Sequence, residues 1–207
     1  LEGCRTLADQ VNNYLVSFRH ESPTNVGQAD SLQGYCADSY LLECECPRFG
    51  SGEGKGVLKE SVRGCDLFIM VDVTNYSLTY RVNGYENHMS PDNHYQDLKR
   101  IISAADGKAR RINVIMPFLY EGRQHKRSKR ESLDCALMLQ ELVDMGVSNI
   151  LTFDAHDPRV SNSIPLHGFD SFMPTYQFLK ALVNSVPDFV IDNDHLMIIS
   201  PDEGAMG

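Results

Sequence analysis

The stretch INVIMPFLYEGRQHKRSKRESLDCALMLQELVDMGVSNILTFDA, residues 112–155, decides the fold. INVIMPFL (112–119) and NILTFDA (149–155) are nearly continuous apolar runs of strand length, and SLDCALMLQELVDMG (132–146) between them repeats apolar residues at helical spacing. In that helix Leu133, Ala136, Leu137, Leu139, Leu142 and Val143 share a broad apolar face, with Ser132 placed as N-cap and Gly146 as the residue just past the end. Strands this uniformly apolar are expected where both sheet faces are covered. A strand, a helix and a second strand in succession predict a parallel pair joined by a right-handed crossover.

The same pattern extends outward. DLFIMVDV (66–73), DFVID (188–192) and LMIIS (196–200) read as further buried strands, and LADQVNNYLVSF (7–18), HYQDLKRIISAADG (94–107) and PTYQFLKALVNSVP (174–187) as helices. Alternation of the two predicts an α/β fold, a doubly wound, mostly parallel sheet flanked by helices. Between the first strand and its helix, Asn83-Gly84 marks a tight hairpin turn. No internal repeat, low-complexity tract or linker divides the 207 residues.

Composition narrows the function. With 42% hydrophobic residues the chain can bury a core, and a net charge of −9 argues against a general nucleic-acid or anionic-membrane binder, which needs a positive contact face. No apolar run reaches the roughly 18 residues of a membrane span, and no basic-then-apolar leader opens the chain. The six cysteines are unevenly spaced, and the CEC of residues 44–46 lacks the second pair of a zinc site, so free thiols in a reducing cytoplasm are expected. The sequence begins without Met and stops after EGAMG, so a longer product is expected.

In parallel sheets ligands gather beyond the carboxyl ends of the strands. Three predicted strands end there in polar clusters: INVIMPFL in YEGRQHKRSKRES, NILTFDA in HDPR and LMIIS in PDEG. RQHKRSKR (123–130) holds five Arg or Lys and His125 in an acidic chain; it is either a solvated loop or a clamp for phosphate, to which Arg presents forked donors. Asp154 and His156 are two residues apart, so on extended backbone both leave one face and approach one ion, and Asp202 at the end of another strand could complete an oxygen-rich site. His156 alone reads equally as a structural histidine, and Asp157 with Arg159 as a surface pair. RFGSGEG (48–54) lacks the GK[ST] ending of a phosphate-binding loop, but Phe49 offers a stacking surface and Glu53 an acceptor for an exocyclic amine.

Taken in order, RFGSGE, SVRGCDLFIM, INVIMPFLYEGRQHKR, ILTFDAHD and IISPDEG resemble the N-terminal half of ribose-phosphate diphosphokinase, or phosphoribosyl pyrophosphate synthetase, whose pattern runs RFxDGE, NVRGxDxFI, PYxxYxRQDR, TxDLHA and SPDxGG. The resemblance covers roughly residues 48–207 and implies a phosphoribosyltransferase-like fold. It implies transfer of the diphosphoryl group of Mg-ATP to the C1 hydroxyl of ribose 5-phosphate, releasing AMP, with Mg²⁺ as cofactor. By position, Arg123 and Gln124 match the ATP-binding loop; His156, Asp154 and Asp202 match the metal site; Phe49 and Glu53 match adenine contacts that reach across a subunit interface, implying a homo-oligomer, dimer or hexamer. The family pattern also departs: Ser51 stands for an adenine-recognising Asp, His125 for an acidic residue, Ala205 for a Gly, and the loop around 76–93 is longer. The second domain's sugar-phosphate loop is missing, so residues 1–207 are expected to hold the ATP and metal half of a site completed beyond Gly207, inactive alone. Two competing expectations are a non-catalytic regulatory homologue that co-assembles with active synthetase subunits, and a nucleotide-binding α/β domain of unrelated function.

Overall fold

The computed structural model describes residues 1–21, 36–187 and 189–201. Residues 1–172 form one compact unit and residues 173–207 a second.

The first unit opens with a 3-10 turn, Glu2–Cys4, and helix α1, Arg5–Glu21. Two short strands follow, β1 (Cys44–Glu45) and β2 (Val57–Leu58), paired antiparallel. Then come β3 (Asp66–Met70), the hairpin β4 (Thr79–Val82) and β5 (Tyr85–His88), helix α2 (Pro91–Ala104), β6 (Arg111–Met116), α3 (Asp134–Asp144), β7 (Val147–Phe153), a 3-10 helix at Pro158–Ser163 and β8 (Gly168–Phe172). The main sheet has the order β3-β6-β7-β8, and every pair in it is parallel. The parallel α/β expectation therefore holds, with strands neighbouring one another in chain order.

Side-chain alternation explains which face is buried. Leu67, Ile69, Ile112, Val114, Met116 and Ile150 share a core with Leu98, Ile101 and Ile102 of α2 and Leu139 and Leu142 of α3, all 9% exposed or less. On the alternate row Phe68 is 56% exposed, so cover is complete on one face only of the β3 edge. That row also carries Asn113, buried among apolar neighbours and satisfied by the Asn149 amide, which donates to its Oδ1 at 2.6 Å. Thr152 of β7 is different: its hydroxyl is buried and has no hydrogen-bond partner among the described residues.

Helix α2 begins one turn before the expected residue 94. Ser90 Oγ accepts from Asn93 N–H while the Asn93 side chain accepts from Ser90 N–H, a capping box reinforced by Pro91 at the first helical position. Helix α3 begins one residue later than expected: its N-cap is Leu133 rather than Ser132, without a side-chain capping bond. Ser132 is occupied otherwise, its hydroxyl donating to Asp134 and its carbonyl accepting from Gln124. Gly146 sits just past the C-cap Met145, with φ +92, as expected. The Asn83-Gly84 hairpin is present, with φ +50 and +85, and joins Val82 to Tyr85.

β8, GFDSF, escaped the sequence reading. In the second unit, α4 runs Thr175–Ser185 and buries no residue. The strands expected at 188–192 and 196–200 are not formed among the described residues 189–201, where Met197, Ile198 and Ile199 are 78–85% exposed. An apolar run becomes a strand only when a neighbouring backbone accepts its ladder, and no described strand pairs with this one.

Candidate functional site

Two loops at the carboxyl ends of adjacent strands meet. The first leaves β6 and is held by aromatic stacking: Tyr120 lies flat on Tyr95 of α2, ring centroids 4.5 Å apart, and its hydroxyl donates to Asp92 at 2.6 Å. Tyr95 in turn donates to Glu141 of α3 at 2.7 Å. Burial and these carboxylate acceptors push both phenols above their usual range, so they remain neutral donors at ordinary pH. The chain then turns through Glu121, at φ +54, and delivers Arg123, Gln124 and His125.

Gln124 fastens this loop to α3. Its side-chain amide donates to Ser132 O, and its own carbonyl accepts from Cys135 N–H at 3.4 Å. Arg123 is exposed, and neither it nor Lys126, Arg127, Lys129 or Arg130 makes an ion pair with a described residue. The loop therefore presents an excess of positive charge, offset in part by Glu131 near Arg127.

The second loop leaves β7. Asp154 adopts φ +47 and its N–H donates to Phe172 O at 3.0 Å, while Ala155 N–H donates to Ser171 Oγ at 2.9 Å. This corrects the extended-backbone argument for Asp154 and His156: the strand ends at Phe153, and the left-handed turn at Asp154 removes the simple alternation of side chains. Aspartate tolerates this conformation better than most residues. His156 then packs edge-on against His125, ring centroids 5.0 Å apart. His125 Nε2 is also 3.7 Å from Asp157 Oδ2. The expected Asp157–Arg159 pair is present at 2.6 Å, and the Arg159 side chain, with its backbone N–H, holds the Asp157 carboxyl well below the usual carboxylate range.

The structure thus brings Arg123, Gln124 and His125 together with His156 and Asp157, and Asp154 lies at the foot of the second loop. Asp202, with Ala205, lies outside the described residues. Among the described residues no three His, Cys, Asp or Glu side chains gather around one point. Asp154 and His156 are exposed, and no described hydrogen-bond donor occupies either side chain.

Phe49 and Glu53 occupy a different place, a turn closed by the Arg48–Gly54 bridge. Phe49 N–H donates to Glu53 O at 2.7 Å, Gly52 N–H to Phe49 O at 2.9 Å, and Ser51 Oγ to Glu53 Oε2 at 2.8 Å; every described hydrogen bond of Phe49 and Glu53 closes within the turn. Gly52 sits at φ +92 with Val82 beside it. Phe49 is 54% exposed. Sequence reasoning missed what lies beneath: Arg48 forks onto Asp97 of α2 with contacts of 2.7 and 2.8 Å, both side chains 8% exposed. It also missed the contact of His125 with His156, although the charged ends of both strands pointed to that region.

All six cysteines are unpaired. Cys46, beside the Arg48–Asp97 pair, has its thiol pushed up to about 12 by burial and by the Asp97 charge. Among the described residues no helix is long and apolar enough to cross a membrane.

Over residues 1–146 the chain matches the family described as the N-terminal domain of ribose phosphate pyrophosphokinase. The ribose-phosphate pyrophosphokinases of Staphylococcus epidermidis and Bacillus cereus are each 27% identical to it, over 170 and 172 residues; these alignments cover 80% of this chain and 47% and 46% of theirs. The chain therefore spans about half the length of these curated relatives. Among solved structures, phosphoribosylpyrophosphate synthetase from Mycobacterium smegmatis matches with a TM-score of 0.57 at 22% identity, over 72% of this chain and 45% of that one, a likeness of fold.

Proposed function

Since the chain belongs to the family of N-terminal domains of ribose phosphate pyrophosphokinase, we propose that it forms the nucleotide-binding half of a ribose-phosphate diphosphokinase. The reaction moves the diphosphoryl group of ATP to the C1 hydroxyl of ribose 5-phosphate and leaves AMP. The observation that carries this reading is the meeting of the two rim loops, with His125 packed on His156 and Arg123 left without a carboxylate partner among the described residues.

Diphosphoryl transfer depends on positioning and charge neutralisation more than on a covalent nucleophile. In this chain Arg123 supplies forked donors to phosphate oxygens. Gln124 keeps the loop at α3 through its bond to Ser132, so Arg123 projects from a fixed base. His156 and Asp154 are the side chains of the first unit that we assign to Mg²⁺. When bound, the ion would neutralise charge on the triphosphate. Among the described residues Phe49 and Glu53 bond only within their own turn, and both are exposed, which suits contact with adenine held by a neighbouring subunit of a homo-oligomer.

The alignments cover about half the length of the relatives, and we assign ribose 5-phosphate to the part of them that this chain does not span. The 207 residues alone should accordingly bind Mg-ATP without releasing AMP. Six unpaired thiols suit a reducing, cytoplasmic setting. The regulatory alternative is not favoured, because the relatives that match carry the name of the enzyme.

Equilibrium titration with Mg-ATP tests the assignment. Arg123→Ala should weaken binding by roughly ten-fold to a hundred-fold, as for loss of a charge-assisted bidentate contact. Binding that is indifferent to Arg123 would overturn it.

A further inference from the structure

The turn carrying Phe49 and Glu53 is tied down by more than its own closure requires. From α2, Asp97 receives both terminal nitrogens of Arg48, and Arg100 adds a bond of 2.6 Å to the same carboxylate. From the β4–β5 hairpin, the Tyr80 ring lies under the Arg48 guanidinium, 5.4 Å from its carbon to the centroid, within cation–π range. Val82 fills the space beside Gly52 so closely that an added Cβ there would stand 3.0 Å from its Cγ2, and Asn83 N–H approaches Gly50 O at 3.4 Å. The hairpin is separate from the main sheet, and its two left-handed turn residues fix its own shape.

A buried ion pair is a poor source of net stability, because desolvation offsets most of its attraction. What it does provide is a fixed direction, since two parallel N–H···O contacts allow one relative orientation. Its location matters here: Arg48 is the residue immediately before Phe49, so holding Arg48 holds the backbone from which the exposed ring projects. A stacking surface ordered before its ligand arrives loses less entropy on binding.

The geometry points to a positioning device: Arg48, Asp97 and the β4–β5 hairpin through Tyr80 and Val82 hold the 49–53 turn in one orientation, ready to receive a nucleotide base. This rests on the nucleotide reading above. Arg48, Asp97, Tyr80 and Val82 are positioning residues, acting through Phe49 and Glu53 rather than by touching the ligand.

Two variants of the whole chain test it, Asp97→Asn and the milder Tyr80→Leu, each compared by hydrogen exchange at the Gly52 amide and by titration with Mg-ATP and with inorganic tripolyphosphate. Exchange at Gly52 should accelerate and ATP affinity should fall, by about ten-fold for Asp97→Asn and about three-fold for Tyr80→Leu, with tripolyphosphate affinity unchanged. Tyr80→Phe, which keeps the ring, should behave as wild type. Unchanged Gly52 exchange in both variants, or equal weakening of the two ligands, would overturn the positioning device. A wild-type chain that binds ATP no more tightly than tripolyphosphate would instead overturn the nucleotide reading, and with it the base as the ligand of this turn.

Discussion

Arg48 and Arg123 are the same residue type in two regions handled in opposite ways. Arg48 is buried, forked onto Asp97 and stacked on Tyr80, whereas Arg123 stands on an exposed loop among four further cations without an ion pair to any described residue. Around Arg48 the charge is spent inside the protein; around Arg123 it faces outward.

The largest effect is expected at Arg48. Arg48→Met should leave the buried Asp97 carboxylate with Arg100 as its remaining described ion-pair partner and lower unfolding free energy by about 3 kcal/mol, the low end for breaking a buried pair, measured by urea denaturation. A loss below about 1 kcal/mol would place Arg48 with the surface pairs instead. Arg123→Ala should show the reverse behaviour, with stability within about 0.5 kcal/mol of wild type while Mg-ATP affinity collapses. A smaller effect is expected beneath the rim, where Thr152 buries a hydroxyl without a described partner. Thr152→Val should raise the urea midpoint, by about 1 kcal/mol of stability, because it removes an unsatisfied group and keeps the branched shape. Smallest is a reactivity test of the locked region: the Cys46 thiol, at about 12, stays protonated at pH 8, so iodoacetamide should modify exposed Cys36 and Cys65 well before Cys46.

Much of the fold was legible because its core strands are also its most apolar segments. β3, β6 and β7 announce themselves, as do α1–α4 and the Asn83-Gly84 turn. β8 does not, since GFDSF mixes Gly, Asp and Ser with two aromatics and owes its ladder to β7. Residues 189–192 and 196–200 show the converse, apolar segments without a paired edge, because hydrophobicity reports a wish for burial and not the presence of a partner strand. At the site, the rule that loops gather beyond strand ends placed Arg123 and His156 correctly in one region. The contact of His125 with His156 and the bond of Arg48 to Asp97 join residues 31 and 49 positions apart, and no local pattern encodes them. Asp154 misled for a local reason: alternation along a strand ends where the backbone turns left-handed, and aspartate does not advertise that choice.

In the proposed function the loops after β6 and β7 act as one phosphate-binding rim. A double-mutant cycle of Arg123→Ala and His156→Ala, read as Mg-ATP affinity in the same buffer, tests it most directly. Two groups engaging one ligand through a shared geometry should show a coupling of about 1 kcal/mol or more. Strict additivity of the two losses, or no loss on removing His156, would contradict the account.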